Sequence, residues 1–114
     1  MLYQQGRTAM AVNDLETAIR LFEESARISP HFKTFELLGE CFLKRGQHWE
    51  AISPLAASAG LGNKPYRALY LLAQALHNSG RRVEAIEKLN QAVEMKPDYK
   101  AALALLDGIR ASDR

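Results

Sequence analysis

Gly46-Gln47-His48-Trp49-Glu50-Ala51-Ile52 returns 34 residues further along the chain as Gly80-Arg81-Arg82-Val83-Glu84-Ala85-Ile86. An earlier copy, Asn13-Asp14-Leu15-Glu16-Thr17-Ala18-Ile19, lies 33 residues upstream. A period of this size marks a solenoid. Each unit is too small to bury its own apolar face and completes its core only against its neighbours. Such chains typically offer a surface to a partner and carry no chemistry of their own.

Outward from these copies, helical periodicity divides the chain into seven short amphipathic segments, at about 1–11, 14–28, 32–45, 48–60, 64–79, 82–95 and 98–111. Asn13, Gly46 and Gly80 fall at matching turns, where residues that tolerate left-handed backbone end a helix. Longer breaks stand at Ser29-Pro30, at Gly60 through Pro65 and at Lys96-Pro97-Asp98. Asn63 reads as an N-cap with Pro65 in the following first turn. Pro54 lies inside the fourth segment, where it forfeits a bond to the carbonyl of Glu50 and costs about 3 kcal/mol or a bend, with Trp49 nearby to cover it. No run alternates with period two over a useful length, so the chain is expected to be all-α.

Small residues recur where helices must approach closely. Ala18, Ala51 and Ala85 are equivalent, followed one turn later by the large Phe22, Leu55 and Leu89, then by Ser25, Ser58 and Ala92. In the preceding segments Leu38-Gly39 matches Leu72-Ala73, with Phe42 and Leu76 below. This spacing resembles the tetratricopeptide repeat. The family's run of Trp, Leu-Gly, Tyr, Ala, Phe, Ala and Pro reads as Phe35, Leu38-Gly39, Phe42, Ala51, Leu55 and Ser58 in the middle copy. In the third copy it reads as Leu69, Leu72-Ala73, Leu76, Ala85, Leu89, Ala92 and Pro97, and in the first as Gly6, Ala18, Phe22, Ser25 and Pro30.

The resemblance implies one domain, a right-handed α-solenoid of about three helix-turn-helix repeats plus a C-terminal capping helix. The repeats are expected at 1–31 (lacking its opening turn), 32–65 and 66–99, with the final helix at 100–114. It also implies a concave groove lined by the first helix of each pair. The register places there Tyr3, Arg7 and Met10, then Lys33, Glu36, Leu37, Glu40, Leu43 and Lys44. Arg67, Tyr70, Leu71, Gln74, His77 and Asn78 follow, and Leu105 continues the face.

Leu37, Leu71 and Leu105 form a ladder spaced by 34 on an otherwise polar face. Either it presents apolar anchors to a peptide, or it packs sideways between adjacent helices. The family's Lys/Asn/Arg clamp for chaperone C-terminal tails has its places taken here by Tyr3, Arg7, Leu37, Arg67 and Leu71. Only Arg67 keeps the needed charge, which argues against that ligand.

Fifteen basic and thirteen acidic residues give a formal charge of +2, too small to suggest nucleic acid or an anionic membrane as partner. No stretch approaches the roughly 20 apolar residues of a membrane span, and residues 1–12 lack a signal peptide's apolar run. A cytoplasmic location is expected, in keeping with a single cysteine, Cys41, which reads as a small core residue. His31, His48 and His77 match no metal spacing, and Glu36 with Glu40 reads as part of surface ion pairs. No phosphate loop or nucleophile motif appears, so neither a cofactor nor enzyme activity is expected.

The leading expectation is an interaction scaffold that holds a peptide segment of a partner protein. A second is a stretch of a longer solenoid, or self-association through a last helix that reads as apolar nearly all round at Ala101, Ala102, Leu103, Ala104, Leu105, Leu106 and Ile109. A third is the targeting module of a larger enzyme.

Overall fold

In the computed structural model the described residues are 1–112, and they form seven helices: α1 (Leu2–Ala11), α2 (Leu15–Ile28), α3 (Phe32–Lys44), α4 (His48–Leu61), α5 (Tyr66–Asn78), α6 (Arg82–Met95) and α7 (Lys100–Ala111). The three repeated turns share one backbone solution. Asn13, Gly46 and Gly80 take φ of +63°, +75° and +83°. At each turn the next residue's N–H reaches back five residues, Asp14 to Ala9, Gln47 to Phe42 and Arg81 to Leu76, at 2.8–2.9 Å. This is the bonding of a left-handed helix terminus, which satisfies carbonyls that the helix end would otherwise orphan.

Helix starts are more varied. Asp14 Oδ1 accepts from the Thr17 N–H at 3.3 Å, and His31 Nδ1 accepts from the Lys33 N–H at 3.1 Å. The expected cap at Asn63 does not form. Lys64 adopts φ +50° ahead of Pro65, and α5 begins only at Tyr66, with Pro65 itself at the capping position. A proline disfavours helical geometry in the residue before it, so the helix cannot start as early as 64. Across Pro54 α4 is continuous, with the ring buried. Trp49 is 60% exposed, with the Arg81 guanidinium carbon 4.7 Å from its ring centre.

Successive helices pack in antiparallel pairs, α1 on α2, α3 on α4 and α5 on α6, and α7 lies against α6. The helices α3, α5 and α7 also touch in sequence, which forms one layer from the first helices. The molecule measures 46 × 27 × 20 Å. Its core is two clusters. One gathers Ala9, Ala18, Ile19, Phe22, Leu38 and Cys41; the other runs from Ala51 and Leu55 to Leu106 and Ile109. Phe42 packs against both, as expected of a stack in which each unit meets only its neighbours.

Each pair closes on a small residue facing a large one. A Cβ added to Gly6 would stand 2.6 Å from Phe22 Cε1, and one added to Gly39 would overlap the Leu55 side chain. Ala73 holds the corresponding place in α5 and is fully buried. The next member of this series, Asp107, is exposed on α7. The last helix is therefore not apolar on every side. Ala102, Leu106 and Ile109 are buried and Ala101 and Leu105 half-buried, while Leu103, Ala104, Asp107 and Gly108 face outward.

Opposite effects are expected for one substitution at two glycines. Gly39→Ala forces Leu55 off its rotamer and should cost about 1–3 kcal/mol, read as a lower urea midpoint. Gly108→Ala meets nothing within 4 Å inside a helix and should gain about 0.5–1 kcal/mol.

Candidate peptide-binding groove

The inner face is built from α1, α3, α5 and α7, and it is not uniform along its length. At the centre of the stack α5 meets helices on several sides, and it buries Ala68, Leu69, Leu71, Leu72, Ala73, Ala75 and Leu76. Leu71 is only 6% exposed and belongs to the core, so it leaves the apolar ladder read from the sequence. Leu37 and Leu105 remain half-buried, Leu37 against the first core cluster and Leu105 against the second. Leu43 is likewise half-buried against the second cluster.

The charges beside the ladder are largely spent on one another. Arg67 on α5 reaches across to α3, with Nη1 on Glu36 and Nη2 on Glu40 at 2.7 Å. Lys33 Nζ lies 3.1 Å from the same Glu36 carboxylate, and Lys44 Nζ 3.8 Å from Glu40. Glu36 is 5% exposed, which corrects its expected place in a surface ion pair on the groove lining. A carboxylate so deeply placed needs partners, and two cations supply them. Burial opposes the Arg67 charge, but its hydrogen bonds to Glu40 and Glu36 outweigh this and hold the guanidinium above its ordinary range.

Beyond Arg67 the face is aromatic. Tyr99 meets Tyr66 and Tyr70 edge-on, with ring centres 5.2 and 5.5 Å apart. The Tyr70 hydroxyl accepts from Gln74 Nε2 at 3.1 Å, and Lys96 Nζ lies 5.4 Å from the centre of the Tyr66 ring. Burial pushes the Tyr99 phenol upward, with Arg67 opposing. Tyr66 and Tyr99 were not among the residues the register placed in the groove, although they stand 33 apart beside the two proline breaks. His77 is half-buried, and the exposed Asn78 lies 3.4 Å from His48 Nδ1.

The other half, between α1 and α3, is open. Arg7, Met10, Ala11, Leu37 and Lys44 line a recess of about 340 Å³. Arg7 and Lys44 are exposed, and Met10 and Leu37 form a half-buried floor. Tyr3 sits at the start of this face, its ring 6.1 Å from Phe22 and 6.0 Å from the Arg7 guanidinium carbon. Among the described residues no group of three or more His, Cys, Asp and Glu could hold a metal ion, and no helix is long and apolar enough to cross a membrane.

A model of the family described as anaphase-promoting complex, cyclosome, subunit 3 matches residues 11–92, most of the chain. The chain belongs to this family of tetratricopeptide repeat proteins. A small glutamine-rich tetratricopeptide repeat-containing protein of Mycosarcoma maydis is 30% identical over 97% of the chain and 31% of its own length. The chain spans less than a third of the length of the curated relatives it matches. Among solved structures, MamA from Desulfovibrio magneticus RS-1 superimposes with a TM-score of 0.91 at 26% identity, covering 98% of this chain and 64% of that one. The first tetratricopeptide repeat domain of Spaghetti (RPAP3), bound to the HSP90 peptide SRMEEVD, gives 0.92 at 15% identity over 97% of this chain and 89% of that one. The tetratricopeptide solenoid is thus established as the fold.

Substituting Arg67 therefore perturbs the fold before it perturbs any ligand. Arg67→Ala leaves the buried Glu36 with Lys33 as its one remaining cation and should cost about 1–3 kcal/mol in urea unfolding, whereas Arg7→Ala should cost less than about 0.5. Adding Glu36→Gln to Arg67→Ala should recover part of the loss. Cys41 is fully buried; burial pushes its thiol up to about 11, Glu40 adds to the rise and Lys44 opposes it. It should resist a disulfide reagent at pH 8 in the folded chain and react promptly once the chain is unfolded in urea.

Proposed function

We propose that this chain is a protein-interaction scaffold whose concave groove binds a peptide segment of a partner protein, and that the half between α1 and α3 does the gripping. The observation that carries this reading is the recess floored by Met10 and Leu37 and flanked by the exposed cations Arg7 and Lys44. An apolar side chain would enter the floor, and acidic neighbours would meet the two cations. Further along, Arg67 is already held by Glu36 and Glu40, so that half has little charge left to offer a ligand.

The RPAP3 repeats carry an HSP90 peptide in the related fold. Here the places of a carboxylate clamp hold Tyr3, Arg7, Leu37, Arg67 and Leu71, with Leu71 buried and Arg67 engaged. The segment proposed for this groove is accordingly an internal one, anchored by an apolar side chain with acidic flanks.

Selection from a displayed random peptide library should enrich sequences with a large apolar residue next to Asp or Glu. Arg7→Glu with Lys44→Glu reverses two exposed charges and should weaken the selected peptides about tenfold or more while leaving the circular dichroism spectrum unchanged. No enrichment, or peptides indifferent to both substitutions, would remove the groove from this role.

A further inference from the structure

The second helices α2, α4 and α6 form the outer layer, and their outermost residues lie at equivalent places 33 and 34 residues apart. On α2 these are Glu16, Arg20, Glu23 and Arg27, at helical spacings of three and four and all exposed. On α6 they are Val83, Glu87, Asn90 and Glu94, again exposed. On α4, between them, the same places hold Trp49, Ser53, Ala56 and Gly60. The middle of the outer face thus carries no charge and only short side chains, apart from one tryptophan that is 60% exposed. The Arg81 guanidinium braces the Trp49 ring from one side.

Such a face suits a copy of itself. The outer side of a solenoid is convex, so when two of these faces meet the middle helices touch first and the flanks stand apart. Short side chains on α4 and long charged ones on α2 compensate for that curvature. A two-fold axis perpendicular to the helices sets each helix antiparallel to its own counterpart. Trp49 then falls on Gly60 of the second copy, where an added Cβ would meet nothing within 4 Å, and Ser53 falls on its Ala56. A large residue over a small one is also how the chain closes its own pairs, Phe22 on Gly6 and Leu55 on Gly39. The charge order on α2 reverses into its own complement: Glu16 opposes Arg27, and Arg20 opposes Glu23. On α6 Val83 opposes Glu94 and Glu87 opposes Asn90, so no two like charges face each other. Three helices of 14 residues, each about 20 Å long and about 10 Å from the next, offer roughly 500 Å² per copy, near the lower limit of a specific interface.

From this self-complementarity we infer that the outer face of α2, α4 and α6 is a docking surface for a second copy of the chain, paired antiparallel through α4. The pair turns the two inner faces away from each other, so a dimer presents two grooves at once. The inference stands independently of the groove reading, since Arg7, Met10, Leu37 and Lys44 take no part in it.

Sedimentation velocity between about 10 µM and about 1 mM tests it. A monomer–dimer equilibrium is expected, with a dissociation constant in the micromolar range and a blue shift in the emission of Trp49, the chain's single tryptophan. Ala56→Arg puts a long charged side chain at the centre of the pair, at an exposed helical position, and should weaken association at least about tenfold while leaving Tm unchanged. Arg20→Glu sets a carboxylate against Glu23 of the second copy and should weaken association about fivefold. Adding Glu23→Arg reverses both members of that pair and should restore it. A parallel pairing, with Arg20 opposite Glu87, would gain nothing from this second change. The inference is overturned if the chain stays monomeric at about 1 mM, or if Ala56→Arg dimerises as tightly as the parent, as a dimer formed through α7 would. Failure of Glu23→Arg to restore the Arg20→Glu dimer would also overturn it.

Discussion

Close approach of paired helices is the constraint on which everything else in this structure rests. It is met by setting a residue with little or no side chain against a large one, Gly6 on Phe22 and Gly39 on Leu55, with Ala73 in the same place on α5. Interiors are packed densely enough that one extra methyl at such a point has no free space to occupy. Once the pairs close, the second helices turn their small faces inward, with Ala18, Ala51 and Ala85 fully buried, and the next pair can stack. The two core clusters meeting at Phe42 are the result: a core that extends by addition rather than growing around one centre. At α7 the series reaches Asp107, which is exposed.

The same stacking divides the inner face. In the middle of the stack, α3 and α5 touch, and charges there face each other across a short gap with restricted access to water. Arg67, Glu36 and Glu40 settle that problem among themselves, and Lys33 completes it. Where α1 and α3 stand further from the centre, Arg7 has no carboxylate within ion-pairing distance among the described residues, and Lys44 has there only a long contact to Glu40. An apolar floor lies between them. The charge pattern of the first helices looks even when read along the chain, but in three dimensions it leaves one half of the groove sated and the other available.

Most of the architecture was readable from the chain because its determinants are local. Asn13, Gly46 and Gly80 mark the turns by a backbone preference that needs no knowledge of the rest of the fold, and they take up left-handed φ. The helix bounds follow to within two residues, the largest differences being at the starts of α5 and α7. The site was less readable because it depends on neighbours. Register puts Leu37, Leu71 and Leu105 on one face, yet only Leu71 sits in the most enclosed helix and is lost to the core. Glu36 and Arg67 are 31 residues apart, and their pairing follows from the offset between stacked helices, which spacing alone does not reveal.

The central claim is that the available half of the groove lies between α1 and α3. Its most direct test is to record intermolecular nuclear Overhauser effects between a bound peptide and methyl-labelled chain. Contacts are predicted from the peptide's apolar side chain to the methyls of Met10 and Leu37, with Leu105 silent. Contacts to Leu105 and the rings of Tyr70 and Tyr99, with Met10 and Leu37 unaffected, would contradict the account.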